Sequence, residues 1–390
     1  MIINLDKIAW FQEGPGVRNY QYKTTGTKLI NVSNLGQINL NLSNTSRYIS
    51  NEEANGKYKH FLCDAGDLVI ASSGINEDSI SQKVSFVRDT DLPLCMNTSV
   101  IRFKCLNEKE LNIKYLYYFF KSNSYKKQIL KLMTGIAQLN FGPSHLHKVT
   151  INYVNRVKQE NIIKRLDLLS NLIATQEKQL KLLDELIKSR FIEMFETIDL
   201  SEEKPEWVEL EKLTKIYTGT TPSSTDESNW NGDILWITPA EIDSDSFYIY
   251  NTVRKITEKG RKSKSLDIMP INTVLLSTRA PIGKVGIVGK PMACNQGFKN
   301  FECGTKLIPI FLYTLLKNNT DYLNSLGSGT TFLEVSKSRI AKLKVPVPKI
   351  ELQNEFESFV KQIDKSKFVV QKRIELYKEL LNKKMDEYFN

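Results

Sequence analysis

The sequence predicts an α+β fold made twice over: two mixed α and β domains, each followed by a long amphipathic helix, with the two helices paired antiparallel as a coiled coil. Three observations predict it. The stretch Gly135 to Glu196 repeats in register as Gly329 to Asn390, an internal pseudo-two-fold. Gly135, Leu139, Ser144, Lys148, Gln159, Lys178, Leu182, Glu185, Leu186 and Phe195 meet Gly329, Leu333, Ser338, Lys342, Gln353, Lys372, Leu376, Glu379, Leu380 and Phe389. Val157 to Phe195 carries no Pro and no Gly, as an uninterrupted helix requires. Before each helix, β-branched runs alternate with Gly-, Ser-, Thr- and Asn-rich turns. A repeat of this size exceeds the roughly 20–50 residues of a solenoid unit and reads as a duplicated domain with its helix.

In chain order, Asp67 to Ala71 and Ser99 to Phe103 read as strands and Ile113 to Ser122 as a helix. The long helix follows, its apolar positions stepping by four and three through Ile162, Leu166, Leu169, Ile173, Leu180, Leu183, Ile187 and Met194. That is a heptad seam, interrupted at Gln176 and Arg190. In the second copy, Thr273 to Ser277 and Lys284 to Gly289 read as strands and Pro309 to Lys317 as a helix. Its seam runs through Phe356, Val360, Ile363, Val370, Ile374, Tyr377, Leu381 and Tyr388, interrupted at Lys367 and Lys384. Each seam needs an apolar partner, and the nearest is the other seam. The alternative of two independent helices lying on separate domains fits such long, narrow seams poorly. At 1.5 Å per residue each helix spans about 57 Å, and antiparallel pairing would set the domains at opposite ends of a rod. Shorter matches enter the domains: Lys7, Gly14 and Ser72 meet Lys212, Gly219 and Ser277, while Asn97, Phe103 and Cys105 meet Asn295, Phe301 and Cys303.

The 390 residues suffice for two or three domains with their own cores, and 41% hydrophobic with 25% charged residues is ordinary for a globular protein. No signal peptide, no membrane span and no CxxC spacing among the five cysteines is read, so a reduced, cytoplasmic setting is expected. A net charge of +10 points to a polyanion, most often nucleic acid, beside the plainer reading of a merely basic protein. Catalytic signatures are missing. There is no GxxxxGK[ST] loop and no Asn/Asp-Pro-Pro-aromatic string for a flipped base. His145 and His147 lack the Cys/Asp neighbours of a metal site, and the second copy holds Arg339 and Ala341 there. No catalytic and no metal-ligating residue is therefore assigned.

What remains are donor-rich loops on matching frames. Gln12, Arg18, Asn19 and Tyr20 lie on a Gly-Pro loop whose counterpart carries Thr218 and Thr220. Ser72-Ser73-Gly74 answers to Ser277-Thr278-Arg279, and Asn97-Thr98 to Asn295-Gln296, with Lys299 just beyond. Arg suits guanine edges and Asn or Gln adenine edges, which makes these the candidate DNA-binding residues. Arg254, Lys255, Lys259, Arg261, Lys262 and Lys264 form a candidate phosphate track.

Several segments carry a family resemblance: Phe11-Gln-Glu-Gly-Pro-Gly-Val-Arg18, Gly66-Asp-Leu-Val-Ile-Ala-Ser-Ser-Gly74, Thr273-Val-Leu-Leu-Ser-Thr-Arg-Ala-Pro-Ile-Gly283 and Asn295-Gln-Gly-Phe-Lys299. With the helix endings Lys188 to Phe195 and Lys383 to Phe389, the chain resembles specificity subunits of type I restriction–modification systems over essentially its whole length. One departure is that the first domain begins almost at Met1, without the lead-in that Pro205-Glu-Trp-Val gives the second. The resemblance implies target recognition domains at 1–153 and 199–348, and spacer helices at 154–198 and 349–390. It implies a double-stranded DNA target in two halves with an unread gap. It further implies two docked modification (methyltransferase) subunits and joining restriction (motor-nuclease) subunits, with S-adenosylmethionine, ATP and Mg on those partners and none here. Two other classes stand beside it: a self-sufficient methyltransferase or restriction enzyme, and a coiled-coil scaffold that binds no DNA.

Overall fold

A computed structural model describes every residue except 37, 44, 134–139, 243–246 and 329–332. The repeat positions Gly135, Leu139 and Gly329 lie outside the described residues. The chain divides into two compact units, Met1–Glu177 with Gln371–Asn390, and Lys178–Val370. No helix among the described residues is long and apolar enough to cross a membrane.

The first copy runs β1 (Ile2–Asn4), β2 (Ala9–Glu13), β3 (Thr27–Ile30), β4 (Tyr48–Ile49), α1 (Asn51–Asn55), β5 (Leu68–Ala71) and β6 (Val84–Phe86). It continues with β7 (Leu94–Met96), β8 (Val100–Cys105), α2 (Ile113–Lys121), α3 (Asn123–Leu132), α4 (Pro143–Leu146), β9 (Thr150–Asn152) and α5 (Arg156–Phe195). The second copy runs β10 (Val208–Glu209), α6 (Leu210–Leu213), β11 (Thr214–Thr218), β12 (Trp230–Ile237), β13 (Tyr248–Ile249), β14 (Arg254–Ile256) and α7 (Glu258–Ser263). Then follow β15 (Val274–Ser277), β16 (Val285–Val288), β17 (Met292–Cys294), β18 (Phe298–Cys303), α8 (Pro309–Asn318), α9 (Thr320–Ser325), α10 (Lys337–Ala341), β19 (Lys344–Val345) and α11 (Ile350–Phe389). The strands and helices expected from sequence are β5, β8, β15, β16, α2, α8, α5 and α11.

Topology repeats strand for strand. The first unit has sheets ordered β2-β8-β5-β6, β4-β3-β7 and β1-β9; the second has β11-β18-β15-β16, β14-β12-β17 and β10-β19, with β13 added beside β16. Loop bonds repeat as well. Leu5 N–H donates to Val149 O and Leu210 N–H to Leu343 O, each at 2.9 Å. Phe141 N–H reaches Ser72 O at 2.9 Å, and Val335 N–H reaches Thr278 O at 2.8 Å. These bonds correct the sequence alignment by one residue. Ala71 pairs with Val100 where Ser277 pairs with Phe298, so Ser72 corresponds to Thr278 and Ser73 to Arg279. Turn composition differs between the copies there, and only the ladder fixes the register.

The repeated glutamine explains how each helix is fastened to the domain before it. Gln159 and Gln353 are wholly buried polar side chains. Gln159 Oε1 accepts from Asn112 N–H at 2.9 Å, while its Nε2 donates to Glu110 O at 2.9 Å and Val154 O at 2.8 Å. Gln353 Oε1 accepts from Ile308 N–H at 2.9 Å, and its Nε2 donates to Lys306 O at 3.1 Å and Pro348 O at 2.8 Å. Each amide thus satisfies three backbone groups where a loop, a helix start and the long helix meet.

Within each unit, the end of the other copy's helix completes the core. In the first, Met385 and Phe389 of α11 are buried, with the Phe389 ring 4.9 Å from Tyr115 and 5.8 Å from Phe119 on α2. In the second, Phe191 and Phe195 of α5 lie 5.5 and 4.9 Å from Phe311 on α8. The helix segments inside each unit run antiparallel. Arg165 bonds Tyr388 and Lys378 pairs with Glu177 in the first; Lys367 pairs with Asp184 and Arg190 with Glu355 in the second. The expected seam positions are buried or half-buried throughout. Lys367, expected as a polar interruption, is 7% exposed and satisfied by Asp184 at 2.7 Å.

Two stability effects follow. Gln159→Leu or Gln353→Leu strands an N–H and two carbonyls, each costing about 1–3 kcal/mol when buried without a partner. A loss of at least about 2 kcal/mol is expected in urea denaturation of the full chain, and an unchanged midpoint would refute the fastening role. Phe389→Ala is expected to cost about 3 kcal/mol. In hydrogen exchange that loss should raise rates in α2 and leave α8 protected.

Candidate nucleic-acid interface

The β-ladders bring the candidate loops of each unit to one place. In the first unit Gly14 N–H donates to Val100 O at 3.0 Å and Ser72 N–H to Ser99 O at 2.9 Å, joining the loops that carry Gln12 to Tyr20, Ser73, and Asn97 with Thr98. In the second, Thr220 N–H donates to Cys294 O at 3.1 Å and Thr278 N–H to Gly297 O at 2.8 Å, which gathers Thr218, Thr220, Arg279, Asn295 and Gln296. Matching glycines allow the first of these approaches. A Cβ on Gly14 would sit 2.2 Å from Asn97 O, and one on Gly219 would sit 2.1 Å from Cys294 O and 2.3 Å from Asn295 O. Only a residue without a side chain fits against backbone so close.

On this common frame the loops are held by unrelated anchors. In the first unit Gln21 Oε1 accepts from Arg18 N–H at 3.0 Å, and its Nε2 donates to Glu53 at 2.7 Å and Tyr58 at 3.0 Å. Arg18, Asn19 and Tyr20 beside it are exposed, Tyr20 by 81%. In the second unit two indoles do this work: Trp236 Nε1 donates to Thr220 O at 3.2 Å and Trp230 Nε1 to Ser223 O at 3.0 Å.

The candidate residues separate into those that face solvent and those engaged within the fold. Thr98 and Thr218 are exposed, and Ser73 and Thr220 half-buried. Gln12 accepts from Arg102 Nη2 at 2.9 Å. Asn97 is 6% exposed; its Nδ2 donates to Asn31 at 2.7 Å and its Oδ1 accepts from Thr98 N–H at 2.8 Å. Asn295 Oδ1 accepts from Gly297 N–H at 2.9 Å, and Gln296 Oε1 from the Thr221 hydroxyl at 2.5 Å. Lys299 is 7% exposed, near the Thr278 hydroxyl at 3.4 Å. Burial holds its ammonium below the ordinary lysine value, against the opposing pull of Glu334. Asn97 and Lys299, as placed, brace the loops from behind.

Half of the basic cluster is paired with acids. Arg261 and Lys262 pair with Glu258 and Lys259 with Asp226, whereas Lys255 and Lys264 have no acidic partner within 4.0 Å among the described residues. Arg254 stacks 3.5 Å above the centre of the Trp230 ring, against the Trp230–Trp236 pair that anchors the neighbouring loop. His147 bonds Asp6 at 2.9 Å and packs on Phe11, and His145 Nδ1 accepts from Gly142 N–H. No group of three or more metal-ligating side chains occurs among the described residues. Sequence reading missed Asn31, Arg102 and Glu334. Arg102 carries a signal, since an arginine interrupts the apolar strand Val100 to Phe103. Asn31 and Glu334 carry none.

Comparison with known proteins adds a family and a fold. The family described as type I restriction modification DNA specificity domain matches twice, over residues 18–185 and 202–378. The type I restriction enzyme MjaIX specificity subunit of Methanocaldococcus jannaschii is 34% identical over 184 residues, 46% of this chain and 43% of that protein. The putative type I restriction enzyme MjaX specificity subunit of the same organism is 25% identical over 276 residues, 66% of this chain and 63% of that one. The chain therefore spans about half the length of the relatives it matches. The S subunit of a type I restriction–modification system from M. genitalium has the same fold at a TM-score of 0.54, with 14% identity over 100% of this chain and 96% of that one. A chain from a structure of complex assembly and conformational transition in the type I R-M system gives 0.59, again at 14% identity, over 100% and 97%.

The glycine contacts are directly testable. Gly219→Ala forces the loop off Cys294 and should cost about 1–3 kcal/mol, read as a lowered denaturation midpoint of the full chain. Gly14→Ala should behave alike in the first unit. A neutral result at both would show that the close backbone approach is not needed.

Proposed function

The chain belongs to the type I restriction–modification DNA specificity family, with two copies of the specificity domain, and from that premise we propose that each domain reads one half of a bipartite, gapped DNA site. The observation that carries this is the pairing of an identical frame with different loops. Ladders, the Gly14 and Gly219 approaches and the glutamine fastenings repeat, while the exposed side chains mounted on them do not. One frame with two loop sets suits a target made of two different words at a set spacing. Exposed Arg18, Asn19 and Tyr20 in one loop set, and Arg279 in the other, supply the donors that base edges accept. The length of the two helices governs the number of unread base pairs.

In this reading the chain recognises, and the chemistry belongs to partners: methyltransferase subunits with S-adenosylmethionine, and motor-nuclease subunits with ATP and Mg. A repeated feature supports two like partners. Leu182 and Leu186 in one unit, and Leu376 and Leu380 in the other, are exposed leucines at matching repeat positions. They are apolar, identical in both copies and outside both cores.

Three experiments test the proposal. A methylation assay on the chain alone should give no product, and activity would instead mark a self-sufficient enzyme. Arg279→Ala should relax recognition in the second half-site only; a uniform loss of affinity on all DNA would make Arg279 a phosphate contact. Removing one heptad from both helices should change the gap and leave both half-site sequences intact. Altered half-site sequences would overturn the division of labour.

A further inference from the structure

Arg279 follows the end of β15 as an exposed basic residue, yet it is not a free cation. Its Nε donates to Glu334 Oε2 at 2.8 Å. Behind it, Lys299 Nζ lies 3.7 Å from Glu334 Oε1, with only 8% of that lysine side chain exposed. The backbone that carries this carboxylate is tied down on both sides. Glu334 exchanges backbone bonds with Ser328, both at 3.1 Å, and the next residue, Val335, donates to Thr278 O at 2.8 Å. Residues 279 and 334 also form a backbone bridge of their own.

Two consequences follow from the geometry. Capture at Nε leaves both Nη groups of Arg279 without a hydrogen-bond partner among the described residues, on a side chain that is 44% exposed. Two donors on one planar edge match the O6 and N7 acceptors of guanine. The second consequence is electrostatic. One carboxylate shared by two cations reduces their pull on phosphate, which acts through charge and counterion release. The first unit does not repeat this triad at the same place, because Ser73, Ile101 and Asn140 stand at the registers of Arg279, Lys299 and Glu334.

We propose that Glu334 is a positioning residue for base reading by the second unit. It holds the Arg279 guanidinium by Nε so that the Nη edge reads a guanine, and it cancels charge that would otherwise grip phosphate. The inference rests on the DNA-reading function proposed above.

The test uses the purified full-length chain, a binding selection from randomised duplexes, and the salt dependence of binding to one random duplex. The wild-type chain should select a guanine at one base pair of the second half-site, and Arg279→Ala should abolish that selection. Glu334→Gln should lower the same preference on the order of tenfold. It should at the same time raise affinity for random duplex and steepen the salt slope by about 0.9, one phosphate contact. Glu334→Asp should retain most of the preference. The first half-site serves as the folding control and should be unchanged in every variant. Glu334→Gln that weakens all DNA equally, or that leaves the guanine preference intact, overturns the proposal. A wild-type chain that selects no sequence overturns the DNA-reading function itself, before any variant is compared.

Discussion

Each unit borrows the last turns of a helix from the other sequence copy, and the remaining architecture depends on that exchange. The aromatic cluster on α2 is closed by Phe389, and the one on α8 by Phe191 and Phe195. A buried aromatic side chain carries roughly 2–3 kcal/mol of transfer free energy, a large share of a domain's net stability. Neither core is therefore finished by its own copy. The identity of Phe195 and Phe389, the last apolar pair in the repeat, has this physical cause. The two halves fold against each other's helix ends, so the antiparallel order of helix segments within each unit follows from the need to bury them.

Fastening a helix end to a foreign core would be of little use if the helix start were loose. Gln159 and Gln353 close that gap. A buried amide that satisfies three backbone groups is directional in a way an apolar contact is not, so it fixes the angle at which each long helix leaves its domain. The glycines do the corresponding task at the recognition loops, setting backbone on backbone where a methyl group would not fit. Rigid frames at both ends leave the loop side chains as the free variable. That arrangement lets one fold present Arg18, Asn19 and Tyr20 in one copy and an acid-braced Arg279 in the other without disturbing either core.

How much of this was legible in the sequence depends on the range of each interaction. The long helices were legible because forty residues without Pro or Gly repeat one apolar stripe, and every residue named for the seam is at least half-buried. Phe389 fell outside the stripe because it packs on Tyr115 and Phe119 of α2, and Phe191 because it reaches Phe311 of α8 as well as Phe356 of the partner helix. Strands β5, β8, β15 and β16 were legible as apolar runs buried along nearly their whole length. Two-residue strands such as β10 and β19 exist only through each other, about 135 positions apart, and no local signal marks them. The same limit explains the one-residue slip at Ser72. It also explains why Gln12, Asn97 and Lys299 were read as loop donors. Residue type predicts what a side chain can donate to, whereas burial against Arg102, Asn31 or Glu334 decides whether it is already engaged.

The loop anchors carry the argument one step further. A recognition residue must be held still, because a mobile donor loses ordering free energy each time it binds. It must also keep an edge unoccupied, because a donor already satisfied within the fold has nothing left to offer a base. On the proposed reading the first unit would meet both demands by holding the loop backbone: Gln21, Glu53 and Tyr58 fasten the turn and leave the Arg18, Asn19 and Tyr20 side chains outside. The second unit holds its loop with two indole N–H groups and then holds the side chain itself, since Glu334 takes one of Arg279's three donor nitrogens and leaves two. A carboxylate beside a DNA-facing arginine looks unfavourable when only net charge is counted. Under the proposed reading it becomes favourable, because a guanidinium whose charge is partly offset gains less from any phosphate and keeps two nitrogens for a directional contact with one base edge.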